Sequence, residues 1–288
     1  MAENSGIEWT HHTFNPWIGC QKVSPACDHC YAEAYDLRYN AGKHWGAKAE
    51  RRRTSEKNWN LPVKWNNQAI VRNERYRVFC ASLADVFDNA VPAAWREDLW
   101  ALIRRTPRLD WLLLTKRPQN IRKMLPADWG AGYQNVQLGT TVENQTEAER
   151  RIPHLMDIPC AVRFLSCEPL LGPIDLQFIA QRPGDGGDHY INALEGTLWD
   201  DVNGGIEGVW EHEAKIDWVI AGGESGPQFR PTEEAWFRAL RDQCRENDTA
   251  FLFKQFSGVS QHEIKKLGRV LDGVVHNEYP KPRGGSNA

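Results

Sequence analysis

The stretch DWLLLTKRP, residues 110–118, decides the fold. Its apolar run, 111–115, is continuous rather than alternating, which is typical of a parallel strand covered on both faces. Similar runs occur at 78–82, 136–140, 162–166, 218–221 and 251–254, and 14–19 is a candidate first strand. Helical patterns lie between strands at 93–104 and at 232–246, where Thr232 is the expected N-cap.

Six or seven strand–helix units predict an α/β protein with a TIM-like full or partial (β/α) barrel of parallel strands. A doubly wound open sheet is the alternative, because strand order cannot be read from one sequence. We expect one barrel domain over residues 1–280 and a disordered tail at 281–288. A Gly- and Asp-rich insertion at 177–216, with short strands at 190–193 and 208–210, precedes the sixth strand.

Composition indicates the compartment and the partners. The opening residues show no signal or transit peptide and the chain has no long apolar run, so we expect a cytoplasmic protein without membrane contact. In a reducing compartment, seven cysteines do not predict a disulfide framework. The net charge is −3, yet segment 38–77 holds eleven Lys or Arg against three Glu. With its tryptophans, this segment predicts contact with nucleic acid or a nucleotide, or else a solvated basic face.

Polar residues follow the predicted strands at their carboxyl ends, where the functional residues of such barrels collect. Any one of them could instead be a solvated strand end or a local cap, and Glu168 and Glu224 could instead neutralise Lys116 and Lys254 as plain ion pairs. They are Ser82, Asp85, Lys116, Arg117, Thr141, Glu143, Asn144, Glu168, Gly222, Gly223, Glu224, Ser225 and Lys254.

Three of the cysteines fall within GCQKVSPACDHCYAE, residues 19–33. A zinc site would need a fourth ligand, for which His11 and His12 are candidates, while His29 lies inside the Cys27–Cys30 pair. Three thiolates from one contiguous loop better suit a cubane iron–sulfur cluster whose fourth iron has no protein ligand.

The pattern Cys20-x6-Cys27-x2-Cys30 followed by Tyr31 resembles the radical S-adenosylmethionine enzymes, whose usual spacing is C-x3-C-x2-C. The first gap is longer here. The stretches NPWIGCQKVSPACDHCYAE, LLLTKRP, GTTVEN, CEPLLGPI, DWVIAGGESG, FKQFSG and LDGVVHNEYP also resemble a phage- and bacterium-associated family of unknown function grouped with those enzymes. This second resemblance covers about residues 5–280.

The resemblance implies a [4Fe–4S] cluster on Cys20, Cys27 and Cys30. S-adenosylmethionine bound to the fourth iron would be cleaved reductively to a 5′-deoxyadenosyl radical, with electrons from a donor such as flavodoxin or ferredoxin. For the cofactor, the resemblance places Ser82 and Asp85 near the methionine ammonium, and Thr141, Glu143 and Asn144 at the ribose. The residues expected in catalysis are Lys116, Glu168, Glu224 and Lys254. The unknown substrate, which is a nucleotide, a nucleic acid or a protein, is expected to bind to Arg117, Gly222, Gly223 and Ser225.

Two other functions stay open. A barrel with a structural cluster or zinc could serve as a nucleic-acid-binding accessory protein through segment 38–77. A metal-dependent hydrolase would require His11, His12 and carboxylates to converge on a divalent ion.

Overall fold

The structure, a computed structural model, describes residues 5–180, 188–202, 205–211 and 214–280. The chain forms two compact units, Met1–Gly139 and Thr140–Ala288. No helix in these described ranges is long and apolar enough to cross a membrane. The tail predicted at 281–288 lies outside the described residues, as do parts of the predicted insertion.

The first unit alternates strands with helices. Its elements are β1 His12–Phe14, β2 Trp17–Ile18, α1 Tyr31–Asn40, β3 Arg52–Arg53, α2 Glu56–Trp59, α3 Leu61–Arg72, β4 Tyr76–Cys80, α4 Ala93–Arg105, β5 Leu109–Thr115, α5 Ile121–Met124 and β6 Val136–Thr141, whose last two residues belong to the second unit. Short 3₁₀ helices occur at Pro25–Cys27 and Pro118–Asn120.

The second unit continues the alternation around a small antiparallel sheet. Its elements are α6 Gln145–Met156, β7 Val162–Cys167, β8 Ile179–Ala180, β9 Asp188–Asn192, β10 Thr197–Val202, β11 Gly205–Glu211, β12 Trp218–Gly222, α7 Glu234–Glu246, β13 Ala250–Gln255, α8 Gln261–Leu267, β14 Val270–Leu271 and β15 Val274–Val275.

The protein has an α/β fold, and its main sheet consists of seven parallel strands. Their order is β1-β4-β5-β6-β7-β12-β13. The two end strands, β1 and β13, do not pair with each other in this order, so the expectation of a full, closed barrel is wrong. The partial form, an open run of parallel strands, agrees with the structure. The insertion precedes the sixth strand, β12, as expected, and contributes β8 to β11.

Burial on both faces explains the apolar strands of the first unit. Along β5, the side chains of Trp111, Leu112 and Leu113 are fully buried. Helix α4 begins after Pro92 and buries Leu99, Leu102 and Ile103 on one face. Two arginines in its last turn interact favourably with the negative end of the helix dipole. These strand and helix bounds lie within two residues of the prediction.

The predicted first strand, 14–19, is wrong. The parallel strand is β1, which ends at Phe14 opposite Cys80. After it, Asn15 and Pro16 turn the chain, because their carbonyls accept hydrogen bonds from Thr54 and Asn58. The following residues, β2, pair antiparallel with β3 instead.

Thr232 does not cap helix α7, contrary to the prediction. The N-cap is Glu233, and the Thr232 hydroxyl donates to the Leu170 carbonyl at 2.8 Å. A tertiary partner therefore replaces the local cap at this position, and the helix begins two residues later than predicted.

A C-terminal segment, 276–278, runs antiparallel beside β13. The Phe253 amide donates to the His276 carbonyl at 3.1 Å, and the Glu278 amide donates to the Phe251 carbonyl at 3.2 Å. The Glu278 carboxylate accepts from the Phe251 amide at 3.0 Å. These bonds occupy backbone groups on the outer side of the last strand of the sheet.

Candidate functional site

The cysteine loop, residues 20–30, lies between β2 and α1 in the first unit. Cys27 ends a 3₁₀ turn, and Cys30 is the N-cap residue of α1. All seven cysteines of the chain are free thiols, and Cys27 is buried while Cys20 and Cys30 are half-buried. None of the three thiols in the loop therefore takes part in a disulfide.

Backbone contacts fix the start of this loop. The Gly19 amide donates to the Leu83 carbonyl at 3.0 Å, and the Gly46 amide donates to the Cys20 carbonyl at 2.8 Å. Gly19 has φ +117°, and a Cβ placed there would lie 2.4 Å from the His44 carbonyl oxygen. A glycine is required here both by the backbone angle and by the close approach of a second backbone.

A buried arginine braces the segment behind the loop. The Arg51 guanidinium pairs with Asp88 at 2.8 Å, and both side chains are essentially inaccessible to solvent. Its Nη1 also donates to the carbonyls of His44, Gly46 and Ala49. Arg51 therefore holds residues 44–49, which in turn contact Gly19 and Cys20.

Asp85 and Arg117 form a second buried ion pair, 2.9 Å from Arg117 Nη1 to Asp85 Oδ2. The Thr115 hydroxyl also donates to Asp85, at 2.7 Å. Arg117 extends from this pair to the loop, where Nη1 lies 3.5 Å from Cys20 Sγ and Nη2 donates to the Gln21 carbonyl at 3.1 Å. The structure thus brings together Cys20, Asp85 and Arg117, three of the predicted site residues.

Two thiols of the loop, Cys20 and Cys30, have raised pKa values and are predominantly neutral without a ligand. Burial raises the pKa of Cys20 to about 11, with a further rise from Asp85 that Arg117 opposes. Burial also raises the pKa of Cys30, while the backbone N–H groups of Glu33 and Ala32 and the charge of Lys116 act in the opposite direction. Metal ligation would have to displace these protons.

Ser82, in the loop after β4, contacts Asn15 and Tyr31, one residue on each side of the cysteine loop. Its hydroxyl accepts from the Asn15 side-chain amide at 3.0 Å, and its carbonyl accepts from the Tyr31 hydroxyl at 2.7 Å. Tyr31, directly after the third cysteine, keeps 61% of its surface exposed. Ser82 therefore ties α1 to the loop after β4.

In the second unit, the predicted ribose contacts have structural partners. Glu143 is fully buried and pairs with Arg151 at 2.8 Å, and Arg151 also binds Glu147. Asn144 is the N-cap of α6, accepting from the Glu147 amide at 3.0 Å. The Thr141 hydroxyl is buried and has no hydrogen-bond partner within the described residues.

Glu168 and Lys254 form an ion pair at the carboxyl ends of β7 and β13. Their charged atoms are 2.8 Å apart, with 13% and 23% of the side chains exposed. A Cβ on Gly222 would lie 2.7 Å from Glu168 Oε1, so this glycine admits the carboxylate. Two predicted catalytic residues are therefore adjacent and charge-compensated.

Glu224 and the glycines beside it form a compact turn. The Glu224 carboxylate receives three hydrogen bonds from Arg230, through the backbone amide, Nε and Nη2, at 2.6–2.9 Å. Gly223 is confined, since a Cβ there would lie 2.3 Å from the Ser257 amide. Ser225 bridges to Gly258 through the backbone. Glu224 is thus tied to an arginine rather than open at the rim.

Sequence reasoning missed the arginines that hold these acids. Arg51, Arg151 and Arg230 pair with Asp88, Glu143 and Glu224. The separations along the chain range from 6 to 37 residues, and only the Arg151–Glu147 spacing, i,i+4 on a helix, is a signal visible in sequence.

Within the described residues, no three His, Cys, Asp or Glu side chains form a group that could hold a metal ion. His11 and His12, the candidate zinc ligands, lie at the start of β1 instead. His11 Nδ1 accepts from the Arg77 amide at 2.8 Å, and His12 stacks on Trp65.

Comparison with protein families gives one result. The family model described as "Protein of unknown function (DUF5131)" matches residues 4–280. No curated protein and no solved structure matches the chain.

Proposed function

The chain belongs to the DUF5131 family of unknown function, and from its own residues we propose that it is a radical S-adenosylmethionine-like iron–sulfur enzyme. The observation that carries the proposal is a single loop with three free thiols, the first of which, Cys20, contacts the Asp85–Arg117 ion pair. Asp85 and Arg117 follow the carboxyl ends of the parallel strands β4 and β5, where α/β folds place their ligands.

The donor set fits a cubane cluster better than a single ion. Three cysteine sulfurs are the ligands that such a cluster takes from a protein. In the described ranges the three thiols do not form a group that could hold one metal ion, either by themselves or with an acid or imidazole. A cluster offers a separate iron to each sulfur, so the ligands need not converge on one point. The cations Arg117 and Lys116 favour the thiolate form of Cys20 and Cys30.

Cys20, Cys27 and Cys30 would hold the cluster, and S-adenosylmethionine bound to it would supply a hydrogen-abstracting 5′-deoxyadenosyl radical. The protein's task is to orient the bound groups and to exclude water. In the first unit, Asp85 orients Arg117, and Ser82 fixes Tyr31 next to Cys30.

Lys254 and Glu168 are the proposed acid–base pair of the second unit. The two groups are 2.8 Å apart, so a proton can pass between them without rearrangement. A substrate that displaces one partner removes the charge that the other partner faces, and so changes how readily that group gains or loses a proton. Glu224, tied by Arg230, is better suited to shaping the turn that Gly222 and Gly223 begin.

For the substrate class, the surface of α1 favours a nucleic acid. Tyr35 and Tyr39 are exposed, their rings lie 4.7 Å apart, and the Arg38 guanidinium lies over Tyr39. Exposed aromatic rings beside cations stack on bases and contact phosphates. This surface adjoins the cysteine loop in sequence, since Cys30 is the N-cap of the same helix. Binding of a labelled single-stranded oligonucleotide should weaken with salt and with Tyr35→Ala.

The enzyme proposal is tested by iron, acid-labile sulfide and zinc analysis of protein purified without oxygen. We expect about four irons and four sulfides per chain, and an electron paramagnetic resonance spectrum of the reduced protein that changes on adding S-adenosylmethionine. Cys27→Ala should abolish both signals. The matched control Cys160→Ala removes a thiol outside the loop and should keep them. Stoichiometric zinc without sulfide, in protein that cannot be reconstituted with iron, would refute the proposal.

A further inference from the structure

Arg117 has an environment that a substrate-binding arginine at a rim would not have. Its side chain is 5% exposed, and its guanidinium divides its donors among three acceptors of the first unit. These are the Asp85 carboxylate, the Gln21 carbonyl and the Cys20 sulfur. A planar guanidinium with a fixed fork of donors can bind several acceptors at once, which an ammonium group cannot do in the same geometry.

The acceptor on the loop lies within the first gap of the cysteine motif. Gln21 is the first of the six residues between Cys20 and Cys27, and its carbonyl faces Arg117 at 3.1 Å. The loop is thereby bound at its start to a charged group that follows β5. On the far side, the Cys20 carbonyl accepts from Gly46. Cys20 is thus held from two directions, by Arg117 and by the segment that Arg51 braces.

We propose that Arg117 is a positioning residue that fixes Cys20 and donates a charge-assisted hydrogen bond to its sulfur, and so sets the reduction potential of the cluster. This inference rests on the proposed function. A hydrogen bond and a positive charge at a ligand sulfur stabilise the more negative, reduced state, and such contacts are a main determinant of cluster potentials. Asp85 neutralises part of the charge of Arg117 and so reduces its effect on the reduction potential. The same ion pair fixes the direction in which Arg117 points.

The test compares Arg117→Gln with Arg75→Gln in the full chain. Arg75 is also an ion-paired arginine of the first unit, bound to Asp110 at 2.6 Å, so both variants lose one charge and one ion pair. Midpoint potentials are measured by redox titration followed with electron paramagnetic resonance, after iron and sulfide analysis. We expect Arg117→Gln to shift the reduction equilibrium about tenfold toward the oxidised cluster, about 59 mV for one electron. Arg75→Gln should leave the potential unchanged.

A second readout uses the protein without its cluster. Hydrogen–deuterium exchange of the amides at 20–28 should become about tenfold faster in Arg117→Gln, because the contact to Gln21 is lost, and should stay unchanged in Arg75→Gln. Arg117→Lys keeps the charge without the fork, so its potential should lie between those of the wild type and Arg117→Gln.

The outcomes separate this inference from the proposed function. A loaded Arg117→Gln protein with the wild-type potential would overturn the inference and leave the enzyme proposal standing. Failure of the wild type itself to load would refute both. If only the Arg117 variants fail to load, faster exchange confined to 20–28 supports the positioning role, and unchanged exchange overturns it.

Discussion

Gly19→Ala should destabilise the protein through two separate effects at one backbone position. Alanine is strained at φ +117°, which costs about 1–3 kcal/mol. The new methyl group would also lie 2.4 Å from the His44 carbonyl oxygen, and relieving that overlap costs about 1–3 kcal/mol more. The sum is about 2–6 kcal/mol, less the small gain from a stiffer unfolded chain.

The chain contains a matched control for the strain alone. Gly46 has φ +119° and nothing within 4 Å of an added Cβ, so Gly46→Ala should cost only the first of the two terms. Urea and thermal unfolding, followed by the fluorescence of the thirteen tryptophans, measure both variants. We expect the Tm of Gly19→Ala to lie about 2–12 °C below that of Gly46→Ala, at about 2–4 °C per kcal/mol.

Equal losses in the two alanine variants would show that the approach of the His44 backbone does not require glycine at position 19. A Gly6→Ala variant, which meets nothing within 4 Å and has no positive φ, should be about 0.4–1 kcal/mol more stable than the wild type, because only the unfolded chain is stiffened. It controls for the effect of an added methyl group on the unfolded chain.

Three further perturbations test individual contacts. Removing Lys254 and Glu168 singly and together should give a coupling free energy of about 0.5–3 kcal/mol in a double-mutant cycle of urea unfolding, and additive losses would contradict the ion pair. Arg151→Met should cost about 3–5 kcal/mol, because it removes the cation from the buried Glu143, and adding Glu143→Gln should recover part of that loss in the same assay. Burial lowers the pKa of His11 below its ordinary value of 6.5, so the folded state binds fewer protons than the unfolded state as the pH falls. The stability contributed by neutral His11 should be present above about pH 6.5 and be lost below it, and a His11→Gln variant with an unchanged pH profile between 7.5 and 5.5 would contradict this.

Local pattern predicted the regular elements well where burial alone determines them. The runs that became β5, β7 and β12 are apolar on both faces, and no other element type buries such short segments as fully. The first strand was misplaced because the carbonyls of Asn15 and Pro16 bind Thr54 and Asn58, about forty residues away in the sequence. Contacts of that range leave no periodic signal.

The candidate site was predictable in its residue types but only in part in its pairing, since the ion pair of Glu168 with Lys254 was among the expected alternatives. The cysteine spacing pointed to the loop, and the strand ends pointed to Asp85 and Arg117. Their mutual contact, and the burial that makes Arg117 a partner of Cys20, depend on how β4 and β5 align. Glu224 was expected to act as an acid or base or to pair with a lysine, because nothing in its sequence neighbourhood identifies Arg230 as its partner.

The segment 276–278 also protects the outermost strand, β13, from pairing with another chain. An uncovered outermost strand offers a row of free amides and carbonyls to any other extended chain, which is a common route to aggregation. Here the amide of Phe253 and the carbonyl of Phe251 are already bound by His276 and Glu278. A chain shortened to end at Gly273 would expose β13, and we expect it to be recovered as aggregates even though every parallel strand of the sheet is present.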